Sequence, residues 1–148
     1  MVPCTIKDIL AVSRVLDDDS VFIPINGRPC TVEGETAYAL LSRPDVVVLM
    51  PNEGSVFAFV GYDSHISQIH LGVLPQWRGK VAVQACKECF HWIFEHTECT
   101  KIVGFENAAN RAAIRFIGLL GVDREGLLKN VDGKGMDMVV FGYCKPCA

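Results

Sequence analysis

The stretch that most narrows what this chain can become is residues 66–96, where a strand pattern passes through one short turn into a long amphipathic helix. In residues 66–74, Ser67, Ile69, Leu71 and Val73 share one face and Gln68, His70 and Gly72 the other, the two-residue period of a strand. In residues 80–96, Ala82, Ala85, Cys86, Cys89, Phe90 and Ile93 form one apolar stripe, and Gln84, Lys87, Glu88, His91 and Glu95 lie opposite. The turn between them reads Leu74-Pro75-Gln76-Trp77-Arg78-Gly79-Lys80-Val81-Ala82. A strand that feeds directly into a helix aims free N–H groups and the positive end of the helix dipole at the turn, an arrangement suited to a pyrophosphate. Gly79 lets the backbone come close, and Arg78 and Lys80 add positive charge. A plain helix start, with a turn glycine and two solvated basic residues, fits the same spacing. The turn matches neither GxxxxGK[ST] nor GxGxxG, which disfavours a nucleoside triphosphatase or a dinucleotide-dependent dehydrogenase.

The flanking segments predict a mixed sheet. Residues 6–16 have helical apolar spacing and stop at Asp17-Asp18-Asp19-Ser20, residues 26–29 read as a turn, and residues 36–42 form a short helix ending before Pro44. Residues 46–50 and 55–62 read as a hairpin around Pro51-Asn52-Glu53-Gly54. Residues 101–105 are a short buried strand, and residues 110–120 a helix with Asn110 as N-cap and Gly121 as its stop. Residues 122–127 and 136–144 are the last two strands. The order ββ-β-α-β-α-β-β describes an α/β (α+β) chain with helices packed on a mixed sheet. Its 148 residues fit one domain, 1–148.

A net charge of −3 offers no general attraction to nucleic acid or to anionic membranes. No apolar run reaches the roughly 18 residues of a membrane span, and Met1-Val2-Pro3-Cys4 does not open like a signal peptide. Seven cysteines, an odd number, read as reduced thiols of a cytoplasmic protein. Cys86-x-x-Cys89 lies on the apolar stripe and reads as core, and Cys144-Lys145-Pro146-Cys147 ends a strand, so no metal site is assigned; without a thioredoxin-like setting the second pair is not read as a redox pair either. His91 and His96 are five apart, which is not a metal-pair spacing on a helix, and Asp17-Asp18-Asp19 reads as a solvated turn.

The turn Gln76-Trp77-Arg78-Gly79-Lys80-Val81 resembles the acetyl-CoA loop [QR]-x-x-G-x-[GA] of the GNAT superfamily of N-acetyltransferases. Residues 110–122 resemble that family's N-x-x-[AS]…G-F helix and turn. Arg124-Glu125-Gly126 and residues 136–141 are similar to the ending of its branch related to ribosomal-protein and aminoglycoside acetyltransferases. Small bacteriophage-encoded members look much like this chain, His70-Leu71-Gly72-Val73 included. The resemblance covers residues 46–144. It implies a mostly antiparallel twisted sheet with helices on both faces, and a third strand that splays from the strand at residues 101–105. Acetyl-CoA would be the cosubstrate, with pantetheine bonded to backbone near Leu71 and Val73. The pyrophosphate would meet the amides of Arg78, Gly79, Lys80, Val81 and Ala82 beside Gln76, and Asn110 would stand near the pantetheine arm. The amine acceptor, a small molecule or a protein N-terminus or lysine, would enter from the opposite side and attack the thioester directly, with backbone N–H groups stabilising the oxyanion.

This sequence departs from the family pattern at the chemistry. Val81 stands where the loop prefers Gly or Ala, and its β-branched side chain would crowd a phosphate. The Tyr seven residues after the helix Asn is Ile117, and the Ser used by some relatives is Ala113, so neither usual acid is present. A thiolate, with a conjugate acid of pKa roughly 8.5, can leave without one. His70 is the candidate base, and a half-buried sheet histidine is the alternative reading of it. Glu106 is the second candidate, or an ordinary loop carboxylate. Two functions fit these residues: an acyl-CoA-dependent N-acetyltransferase, or a non-catalytic GNAT-fold binding or structural protein, phage-encoded and serving particle assembly or host interaction. The oligomeric state, homodimer included, stays open.

Overall fold

Three helices precede the first strand, one more than the spacing of residues 1–45 suggests. They are α1 (Ile9–Leu16), entered through a 3-10 turn at Ile6–Asp8, α2 (Asp19–Asn26) and α3 (Glu35–Leu41). The computed structural model describes residues 1–147. The acidic run both ends α1 and starts α2, because Asp18 caps the second helix by accepting from the Ser20 amide at 3.0 Å. Asp17 turns the other way and accepts from the Gly34 amide at 2.8 Å. Gly27, at φ 72°, closes α2 in the left-handed conformation. Pro24 lies inside α2, and it breaks the apolar periodicity by which a helix is recognised.

The sheet contains β1 (Val46–Asn52), β2 (Ser55–Gly61), β3 (Ile66–Val73), β4 (Lys101–Asn107), β5 (Asp123–Leu128) and β6 (Met138–Cys144), in the order β1-β2-β3-β4-β6-β5. All neighbours are antiparallel except β3 and β4. β1 extends two residues further than the turn signal suggests. A register shift between Leu49 and Asn52 accommodates Pro51, which has no N–H to give a ladder. Between β3 and β4 runs α4 (Lys80–His96), and between β4 and β5 runs α5 (Arg111–Leu119).

Two apolar layers hold the helices to opposite faces. Leu49, Phe57 and Phe59 meet Ala85, Cys86, Cys89, Phe90 and Ile93 of α4, and α5 joins this layer through Phe116. Val48, Val56 and Ala58, from the alternate positions of the same strands, meet Val12, Val15, Leu16, Val21 and Ala37 of the first three helices. Gly72 of β3 is bare for a reason: a side chain there would run into Val21 and Leu16, so the glycine brings α1 and α2 down onto the strand. Cys86 and Cys89 are wholly buried, and burial pushes both thiols up, Cys89 to about 12, far from a reactive thiolate. Cys144 and Cys147 are exposed. No helix among the described residues is long and apolar enough to cross a membrane.

Candidate functional site

The site begins where the sheet comes apart. β3 and β4 pair at Ile66–Lys101, Ser67–Ile102 and Gln68–Val103, and nowhere beyond. β3 continues to Val73 and β4 to Asn107, so their facing edges diverge into a cleft of unpaired backbone. Gly104 lines its narrow end; a side chain there would stand 3.4 Å from Ile69 Cγ2. Leu71 and Val73 lie on this unpaired length.

The cleft opens toward the turn into α4. Pro75–Trp77 form a 3-10 turn whose Trp77 packs into both apolar layers and covers Gly54, where any side chain would collide with the indole. The Leu74 amide donates to Gly54 O at 2.9 Å, which ties the turn to the β1–β2 hairpin. Gly79 follows at φ 85°, ψ −141°, a conformation open in practice only to glycine. Among the described residues no acceptor reaches the amides of Gly79, Lys80, Val81 or Ala82, and the first helical bond is Val83 N to Gly79 O at 3.1 Å. Four N–H groups and the positive end of a 17-residue helix therefore converge on one spot. The Arg78 amide is excluded from this set, since it donates to Pro75 O at 3.3 Å.

The side chains divide between backing the spot and facing it. Ala82 points into the core at 1% exposure, whereas Val81 stands out at 52% beside the free amides. Gln76 and Lys80 are exposed with no hydrogen-bonding partner among the described residues. Arg78 turns away: its Nε donates to Val73 O at 3.0 Å and an Nη to Ser20 O at 3.1 Å.

His70 and Glu106 flank the cleft on opposite faces of the sheet. His70 shares the α1–α3 face with Gly72 and is exposed; lost hydration around the ring, then the charge of Arg43, holds its pKa below the ordinary 6.5. Glu106 alternates with Ile102 and Gly104 and so faces α4 and α5. Burial raises its carboxyl pKa, against hydrogen bonds from the Asn107 amide at 3.0 Å and Asn110 Nδ2 at 3.4 Å. Asn110 also caps α5, accepting from the Ala113 amide at 3.2 Å. Asn110 and Glu106 are thus brought together, and His70 stands apart from both. Ala113 and Ile117 are half-buried on α5 and offer no proton. A cavity of about 410 Å³ near Tyr62, Ser67 and Thr97 lies at the paired end of β3, away from this cleft.

Sequence reasoning did not foresee the clamp of Trp77 on Gly54, for which the only signal is a glycine at a hairpin turn. Nor did it foresee the direction of Arg78, whose partner lies 58 residues earlier.

No family model matches the chain, and no curated protein matches it. Solved structures do share its fold. A ribosomal-protein-S5-alanine acetyltransferase from Vibrio fischeri superposes on 97% of this chain and 91% of its own, with a TM-score of 0.73 and 12% identity. A GNAT-family acetyltransferase from Bacillus anthracis covers 96% and 92%, with a TM-score of 0.72 and 18% identity. Spermidine N-acetyltransferase from Vibrio cholerae, in complex with CoA and spermine, covers 97% and 94%, with a TM-score of 0.75 and 14% identity. At these identities the likeness establishes a common architecture, the mixed sheet with helices on both faces.

Proposed function

We propose that this chain is an acyl-CoA-dependent N-acetyltransferase that moves an acetyl group to a primary amine by direct attack. The observation that carries this reading is the cleft between β3 and β4, which ends at the four free amides behind Gly79. An unpaired strand edge suits the amide-bearing pantetheine arm, and the amide cluster suits its pyrophosphate. Acetyl-CoA fits the residues present: open space at Gly79, with no atom within 4 Å of where a Cβ would stand, and an exposed lysine, Lys80, next to it in the chain. This combination favours an enzyme over a non-catalytic scaffold, whose cleft would have no need of unpaired backbone.

The acceptor enters on the face opposite the cofactor helices, where His70 stands. A neutral imidazole takes the ammonium proton directly or through water, and a pKa below the ordinary value keeps it neutral at pH 7. The amine nitrogen then bonds the acyl carbon while a backbone N–H at the cleft holds the oxyanion. With Ala113 and Ile117 unable to donate, the sulfur departs as a thiolate, and the second proton of the amine nitrogen passes to that thiolate or to water as the amide forms. Glu106 faces the other way, and we read it as steadying Asn110, not as a second base. Polyamine and ribosomal-protein acceptors belong to the neighbours; for this chain the acceptor class is a primary amine.

Calorimetric titration with acetyl-CoA tests the reading, on the native chain and on Gly79→Ala. The native chain is expected to bind at micromolar levels. The variant should bind at least about ten-fold more weakly, since a side chain at this φ and ψ costs ~1–3 kcal/mol. Absence of binding to the native chain at millimolar acetyl-CoA overturns it.

A further inference from the structure

The phosphate-binding turn and the second helix are joined by a bond that the chain's own chemistry makes necessary. Within an α-helix the Ser20 carbonyl would accept from the amide four residues on, and that residue is Pro24, which has none. The orphaned Ser20 O accepts instead from Arg78, at 3.1 Å. The same guanidinium holds Val73 O at 3.0 Å, so one side chain ties the end of β3 to the first turn of α2. Asp18, the cap of α2, is held below the ordinary carboxyl range by the Ser20 hydroxyl and amide, with the charge of Arg78 adding to them. On its far side the α1–α2 corner rests on Gly72, so the corner has two anchors: packing on β3 and the arm of Arg78.

We propose that Arg78 is a positioning residue that couples the phosphate-binding turn to α2, releasing Ser20 when an anion binds at the amides of Gly79 to Ala82. This rests on the acetyl-CoA reading of that turn. Arg78 immediately precedes Gly79, so a bound pyrophosphate sets several negative oxygens within reach of its guanidinium. A phosphate offers the guanidinium full negative charges and a bidentate match to its planar fork, neither of which a lone backbone carbonyl supplies. The anion therefore draws the guanidinium off Ser20 O, and Pro24 ensures that no helical donor replaces it. The first turn of α2, on the face of the sheet that carries His70, then loses its outside anchor. Cofactor occupancy becomes legible on the acceptor side without any strand moving.

Hydrogen exchange of the α2 amides, followed by mass spectrometry with and without saturating CoA, tests the coupling. In the native chain, exchange across residues 19–26 should speed up by about five-fold or more on binding, the low end of ordinary couplings. Arg78→Met should exchange fast with or without CoA. Pro24→Ala, which gives Ser20 O its own helical donor, should stay slow in both states while CoA still binds, as calorimetry will report. If the native chain binds CoA but α2 exchange is unchanged or slower, the coupling is overturned and the acetyl-CoA reading stands. A CoA response that persists in Pro24→Ala overturns it equally. Failure of CoA to bind the native chain overturns both.

Discussion

The indole of Trp77 occupies the volume that a side chain at Gly54 would need, and in doing so it holds the turn between β3 and α4 against the hairpin that joins β1 and β2. Trp77 sits between Gln76 and Arg78, so this contact, together with the Leu74 amide on Gly54 O, places the turn. Gly54→Ala should cost about 1–3 kcal/mol in urea unfolding, the usual penalty of overpacking. It should also weaken acetyl-CoA binding in those molecules that remain folded. Unchanged affinity in the folded variant would mean that the free amides are placed by α4 alone.

Val81 should limit affinity. Its exposed branched side chain stands beside the four free amides, where a smaller residue would leave room for phosphate oxygens. Val81→Ala should tighten acetyl-CoA binding by about three- to ten-fold, up to ~1.4 kcal/mol. Stability should hardly change, since half of the side chain already faces solvent and alanine is the better helix former. Looser binding by the variant would show that Val81 contacts the cofactor favourably.

The pH dependence of the reaction should carry the mark of His70. Because the folded pKa lies below 6.5, the acid limb of kcat/KM against pH should fall below that value and the rate should be flat through neutrality. His70→Gln should lose that limb and about 10²–10⁴ in rate. The same shift has a thermodynamic face. The folded chain resists protonation that the unfolded chain accepts, so His70 makes stability rise with pH between its lowered pKa and 6.5. Thermal melts of native chain and variant across that window should converge as pH rises. An acid limb that survives the substitution assigns the base elsewhere.

Legibility in the sequence followed physical scale. α4 is bounded by Lys80 and His96, as its stripe indicates, because seventeen residues of periodicity average out local exceptions. α2 is hidden because eight residues give little period to read, and Pro24 argues against a helix at its centre. The helical supply of amides at Gly79 is visible in the order strand, glycine, helix. The cleft itself is not legible from residue types alone: it is an absence of pairing, and residues 69–73 read as any strand would. Here the family resemblance carried the expectation of a splay, and the register of β3 against β4 bears it out. The turning away of Arg78 was beyond reach for a different reason, since a charged residue in a strand-to-helix turn gives no sign of a partner in another helix.

The splay also has a mechanical meaning. Three residue pairs are all that stitch the β1-β2-β3 half of the sheet to the β4-β6-β5 half along their strands, and α4 and α5 bridge the seam above them. A chain of this size would gain rigidity by closing that seam with four or five more rungs. It keeps the rungs vacant instead, and under the acetyl-CoA reading the pantetheine arm would take them up, so that its binding should stiffen the whole sheet as a last strand would.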